Sequence, residues 1–195
     1  METKPTTTTN TPPTLPQSEV VYNYLVTSKA KDHFEQISHS LDFKRETMYA
    51  VQAFLKNDYL RSCTKESLVS ALINVATTGI TLNPVLGYAY LVPRRNKDKV
   101  ECSLDVSYKG LINILTQSGG AKQVYSHIVF KNDIFKIEYG SEPTLQHIPA
   151  LGGNKGDIVG VYAVVVLADG SRSFDFMDID EINYIMGRSE AGKKA

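Results

Sequence analysis

Four cationic side chains, Arg94, Arg95, Lys97 and Lys99, fall within six residues. Tyr88 and Tyr90 stand just before them, two residues apart, and Tyr108 and Lys109 follow a few residues later. Guanidinium and ammonium groups neutralise phosphates and release their counterions, which gives affinity without regard to base sequence. Aromatic rings beside them can stack on unpaired bases, or a hairpin bearing them can wedge between bases. This spacing suits a single-stranded polyanion. The blander reading is a solvated hairpin tip whose tyrosines pack into the core. Lys122 and Arg188 are further candidates for phosphate contact. Asn83, beside Pro84, should shape the turn before the hairpin, and its amide could also bond a phosphate.

Other chemistries find less support. Four histidines occur, at 33, 39, 127 and 147, and none pairs with another His or Cys at metal-ligand spacing. Each reads as a surface or a satisfied core histidine. No Gly-x-Ser-x-Gly elbow for a nucleophilic serine is present. The stretch Gly152–Gly153–Asn154–Lys155–Gly156 lacks the Gly-Lys-Ser/Thr end of a phosphate loop and leads into a strand, so it reads as a flexible loop. ATP hydrolysis is not expected. Asp175, Asp178, Asp180 and Glu181 could suggest a divalent-metal nuclease site, but such sites draw carboxylates from separate elements. Consecutive acids at a helix start serve as caps and dipole partners. No catalytic residue and no metal ligand is assigned.

The whole chain gives no help from net charge, because its 195 residues hold 21 basic and 21 acidic side chains. The charge is nevertheless uneven. Residues 81–125 carry six basic and three acidic groups, and residues 126–182 carry four and nine. A basic middle and an acidic later section suit a polyanion site, or protomers stacking acidic face on basic face. Cys63 and Cys102 are the only cysteines, which excludes a disulfide framework and a four-cysteine zinc site. No apolar run nears the roughly 20 residues of a membrane span, and no secretory signal opens the chain. A cytoplasmic protein that makes no membrane contact is expected.

The elements that must position these residues follow from pattern. Residues 3–16 are eleven parts Thr and Pro out of fourteen, so residues 1–17 read as a disordered tail. Order begins near Ser18, a single domain runs over 18–190, and 191–195 form a flexible end. Ser28 can cap a helix bearing Ala30, Phe34, Ile37 and Leu41. A second helix should face the core with Met48, Val51, Phe54, Leu55 and Tyr59. Thr64 opens a third, with Glu66 in its first turn, Leu68, Ala71, Leu72, Val75 and Ala76 inward, and Gly79 as its C-cap. Tyr88–Pro93 and Val100–Val106 read as strands joined by the polar link Arg94–Lys99. A helix from Ser107 should present Tyr108, Leu111, Ile112 and Leu115 on one face. Strand-like runs follow at 123–130, 135–139 and 144–148. A hairpin over 158–167 and 171–176 turns at Asp169–Gly170. Asp178 and Glu181 form a capping-box pair opening a helix over 179–188. The fold class is α+β: a helical N-terminal part, then a mostly antiparallel sheet with packed helices.

Three blocks in this order resemble a known family. They are Ala71-Leu72-Ile73 with Ala76–Pro84 and Gly87–Arg94, then Leu104–Ile112, then Asp180-Glu181-Ile182 with Arg188-Ser189. Together they look like the signature of the phage single-strand annealing recombinases of the RecT and Redβ family, RecT branch. At Ser107 that family commonly has Gly. The resemblance implies an ATP-independent protein that binds single-stranded DNA and anneals it to its complement in homologous recombination. It implies a homo-oligomer, ring or helical filament, on DNA lying in a basic groove. It implies a phage exonuclease and a host single-strand binding protein as partners, and single-stranded DNA and annealed duplex as ligands. No cofactor is required, and magnesium is expected to influence DNA binding. The family's chains continue past the Arg-Ser turn, whereas this sequence ends at Lys193–Lys194–Ala195, so it reads as lacking the C-terminal part. Two rival readings from the residues alone are a passive single-stranded nucleic-acid binder and the metal-dependent nuclease.

Overall fold

The computed structural model describes residues 17–188, apart from Ser28 and His39. The Thr/Pro tail, the cap expected at Ser28, His39, Ser189 and the last residues lie outside the described residues. The fold is α+β, and the chain falls into two compact units that divide between Ile114 and Leu115. No helix among the described residues is long and apolar enough to cross a membrane.

The first unit holds α1 (Gln17–Thr27), α2 (Ala30–Ile37), α3 (Phe43–Lys56), a 3-10 turn (Leu60–Ser62) and α4 (Lys65–Thr78). A hairpin of β1 (Ala89–Asn96) and β2 (Lys99–Val106) and the start of α5 (Tyr108–Gln117) complete it. α4 forms as its sequence dictates. Thr64 Oγ1 accepts a hydrogen bond from Ser67 N, and Gly79 closes the helix in the left-handed conformation at φ 66°. Its stripe of Leu68, Ala71, Leu72, Val75 and Ala76 is buried. Around it gather Leu25, Phe34, Phe54, Leu60, Ile80 and Leu91 as one core. Phe34 is fully buried and meets Phe43 edge-on at 5.4 Å.

Three expectations for these helices are corrected. α2 stops at Ile37 because Ser38 turns extended and its hydroxyl accepts from Leu41 N, so Leu41 lies beyond the helix. On α3 the core takes Phe43, Glu46, Thr47, Ala50 and Phe54, while Met48 and Leu55 are exposed, and Tyr59 lies beyond the helix end and is exposed as well. The reason is Glu46. Its buried carboxyl accepts hydrogen bonds from Thr81 Oγ1 at 2.7 Å and Leu82 N at 2.8 Å. Turning Met48 inward would leave those donors unpaired, which costs more than solvating part of a Met. On α5, Tyr108, Leu111 and Leu115 are exposed, and Gly110 and Ile114 turn inward instead. A Cβ at Gly110 would stand 2.3 Å from Tyr88 O and 2.7 Å from Val106 Cγ1. Only a glycine face can approach that closely.

The second unit holds the end of α5, β3 (Ala121–Phe130), β4 (Ile134–Glu138), β5 (Thr144–Ile148), β6 (Ile158–Leu167), β7 (Arg172–Asp178) and α6 (Ile179–Arg188). The expected one sheet is instead three antiparallel ones among the described residues: β1-β2, β3-β6-β7 and β4-β5. Val129, Tyr162 and Val164 form the buried apolar cluster of the second unit, with Tyr125, Phe135, Leu145, Phe174 and Phe176 packed around them. β6 turns into β7 at Asp169–Gly170, where Asp169 Oδ1 accepts from Ser171 N. α6 opens with a reciprocal capping box: Glu181 N donates to Asp178 Oδ1 and Asp178 N to Glu181 Oε2.

Candidate nucleic-acid interface

The hairpin is set by two hydrogen bonds from the start of α4. Thr64 N donates to Val100 O at 3.0 Å. Cys102 N donates to Ser67 Oγ at 2.9 Å, while that hydroxyl donates to Thr64 O. Cys102 and Cys63 are buried and unpaired, and burial, with Cys63 as the lesser cause, pushes the Cys102 thiol up to about 12. Before β1, Asn83 builds the turn: its Oδ1 accepts from Val85 N and its carbonyl from Leu86 N and Gly87 N. Its side-chain oxygen is therefore committed to the fold. After β2, Ser107 ties the start of α5 to the turn before β1. Its hydroxyl donates to Gly87 O at 2.7 Å and accepts from Gly110 N.

The link expected over Arg94–Lys99 is shorter than that. Arg94 and Arg95 lie inside β1, and the turn is Lys97–Asp98, with Lys97 at φ 52°. Register then separates the cations. Tyr90, Val92, Arg94 and Asn96 face the same side as Asp105, Ser103, Glu101 and Lys99. On that side Arg94 is ion-paired to Asp105, which holds its guanidinium pKa above the usual range, and Asn96 Nδ2 bonds Glu101 Oε2 at 2.9 Å. Arg94 thus stands on a charge-balanced face. The cationic excess is at the tip, where Arg95, Lys97 and Lys99 are exposed beside Asp98. Lys109 is exposed at the opposite end. Eight-residue strands put tip and base roughly 20 Å apart, so neighbours in sequence mark a line rather than a cluster.

The aromatic side chains divide too. Tyr88 lies before β1 and packs against the core, whereas Tyr90 is 52% exposed and Tyr108 more so. Tyr90 lines a cavity of about 180 Å³ with Tyr49, Lys56 and Pro84. Lys99 lines a polar cleft of about 450 Å³ with Thr64, Ser70, Ser103, Glu66 and Glu101. Lys56 and the hydroxyls of Ser70 and Ser103 escaped the sequence reading, because nothing local links them to the hairpin.

Lys122 and Arg188 belong to the second unit. Lys122 is exposed on β3, and the Arg188 guanidinium lies 5.8 Å over the Tyr184 ring. The glycine loop is strapped down: Asn132 N donates to Lys155 O, Lys131 N to Asp157 O, and Lys155 Nζ sits over the Phe130 ring. Asp178 and Glu181 cap α6, each through one carboxylate oxygen, and among the described residues no three His, Cys, Asp or Glu converge to hold a metal. His147 is a satisfied core histidine. Its Nε2 donates to Asp133 Oδ2 at 2.9 Å, and Tyr162 Oη stands 3.2 Å from Nδ1. Asp133 also accepts from Ala150 N and Phe130 N.

A family model described as the RecT family matches residues 42–194. Over 138 residues the chain is 33% identical to Protein RecT of Escherichia coli (strain K12). That match covers 68% of this chain and 51% of that protein, so the chain spans about half the length of this relative.

Proposed function

The chain belongs to the RecT family, and from that membership we propose that it binds single-stranded DNA and anneals it to its complement without ATP, acting as an oligomer. The exposed cationic tip of a hairpin fixed to α4 is the observation that carries this reading. Arg95, Lys97 and Lys99 take phosphates at the tip, Lys109 takes one at the base, and Lys122 takes one on the second unit. Tyr90 and Tyr108 offer ring faces to bases, while Tyr88 supports them from the core. Arg94 contributes when its pairing with Asp105 opens. Pairing and stacking release about 1.4 kcal/mol per step, so annealing needs no fuel. The protein has only to extend a strand, screen its phosphates and leave its base edges free. An exonuclease that makes the strand and a host single-strand binding protein that covers it are the partners this role requires. The role is cytosolic, and magnesium modulates it by competing for phosphates.

Anisotropy of a labelled single-stranded oligonucleotide, titrated at several salt concentrations, tests the site. Replacing Lys97 and Lys99 by alanine should weaken binding to all sequences alike and reduce the log–log salt slope by about one per lost phosphate contact. Unchanged affinity and slope would remove the tip from the site.

A further inference from the structure

α3 carries apolar residues on two faces, and only one is used by the core. The other, with α1, forms an open groove of about 520 Å³ walled by Tyr22, Met48, Val51 and Leu55, with Glu19 and Lys44 at its margins. Met48 is 57% exposed there. Each Å² of such surface removed from water is worth about 25 cal/mol, so the groove favours an apolar occupant.

α6 is the helix with the matching face. None of its residues is buried. Glu181, Tyr184, Ile185 and Arg188 fall at i, i+3, i+4 and i+7, which is one side of a helix. The contact of Arg188 with the Tyr184 ring confirms that alignment. Tyr184 is 67% exposed and Ile185 52%. The stripe is an acid, two apolar residues and a base. The groove is an apolar floor with one acid and one base. Seven residues of helix span about 10 Å, and the eleven from Lys44 to Leu55 about 16 Å, so the stripe fits within the groove.

We propose that the α1–α3 groove receives the Glu181–Arg188 face of α6 from a second copy of the chain, with Glu181 meeting Lys44 and Arg188 meeting Glu19. This is a helix-in-groove contact. It joins two different surfaces, so every added protomer leaves one groove and one α6 face unused, and the assembly can extend. The proposal rests on the oligomeric part of the function proposed above, and it assigns Arg188 to the protein contact rather than to the DNA.

Two single variants test it by sedimentation velocity, alone and mixed, with and without a single-stranded oligonucleotide. Met48→Glu disables the groove and leaves α6 intact, whereas Ile185→Glu does the reverse. The wild-type chain should form species larger than a dimer, and each variant alone should stay monomeric. Their equimolar mixture should form a dimer and nothing larger, because one intact groove meets one intact α6. That dimer also shows that both variants are folded. Variants that assemble like the wild type, or a mixture that stays monomeric, would overturn this contact and leave oligomerisation itself standing. A wild-type chain that remains monomeric on DNA would overturn the oligomeric reading together with it.

Discussion

Glu46 is fully buried on α3, and its carboxyl holds both Thr81 and Leu82 in the segment that leads to the hairpin. Removing one partner of a buried hydrogen bond costs about 1–3 kcal/mol. Glu46→Ala removes two at once, so chemical denaturation should show a loss at or above the upper end of that range, and DNA binding should weaken as the turn loosens. Asp105 makes the opposite prediction. It occupies Arg94 on an exposed face, so Asp105→Asn should tighten binding to single strands and steepen the salt dependence, measured by anisotropy. Single residues were legible where their partners are near in sequence. Thr64 and Gly79 as caps, and Asp178 with Glu181 as a box, need only three or four residues of context. Glu46 was not legible, because its partners stand 35 and 36 residues away. Tyr88 and Tyr90 read as a pair, yet β1 starts between them, and only Tyr90 remains available to a base.

Strands and helices as elements follow closely from alternation and spacing, and the hairpins at 89–106 and 158–178 stand where pattern put them. The faces of α3 and α5 do not. Each carries more apolar residues than one face can bury, so periodicity alone cannot choose between stripes. On α5 the choice is made by Gly110, whose missing side chain lets the helix approach Tyr88 O and Val106. Gly110→Ala should therefore destabilise the chain by about 1–3 kcal/mol, the usual cost of forcing a methyl into packed space. Thr64→Ala should cost about 0.5–2 kcal/mol through the lost α4 cap. Thermal or urea melts check both. Because α4 anchors β2 through Ser67, the Thr64 variant should also lose hydrogen-exchange protection at Cys102 N.

At the scale of the molecule, the chain gathers into two compact units with separate cores. Their division falls inside α5, and a continuous helix gives no linker signal. The second core is small, and polar bonds reinforce it. The backbone N–H groups of Ala150 and Phe130, then His147, hold the Asp133 carboxyl down at about 2. An unfolded Asp titrates near 3.9. The stability from this site is therefore complete above pH 4–5 and is lost as pH falls toward 2. Near-ultraviolet circular dichroism across that range should show the second unit loosening. Asp133→Asn should remove this part of the pH dependence and lower stability at neutral pH. The family was legible because three sequence blocks stand in order, whereas the line of cations, the groove and the α6 face emerged only from three-dimensional placement. The central claim is annealing without fuel, and energy transfer between two complementary labelled oligonucleotides tests it most directly. The mixture would hold the protein, no ATP, and magnesium in one arm, with strand length checked on a gel. Faster pairing with intact strands is the predicted result. Binding with no gain in pairing rate, or strands shortened when magnesium is added, would contradict it.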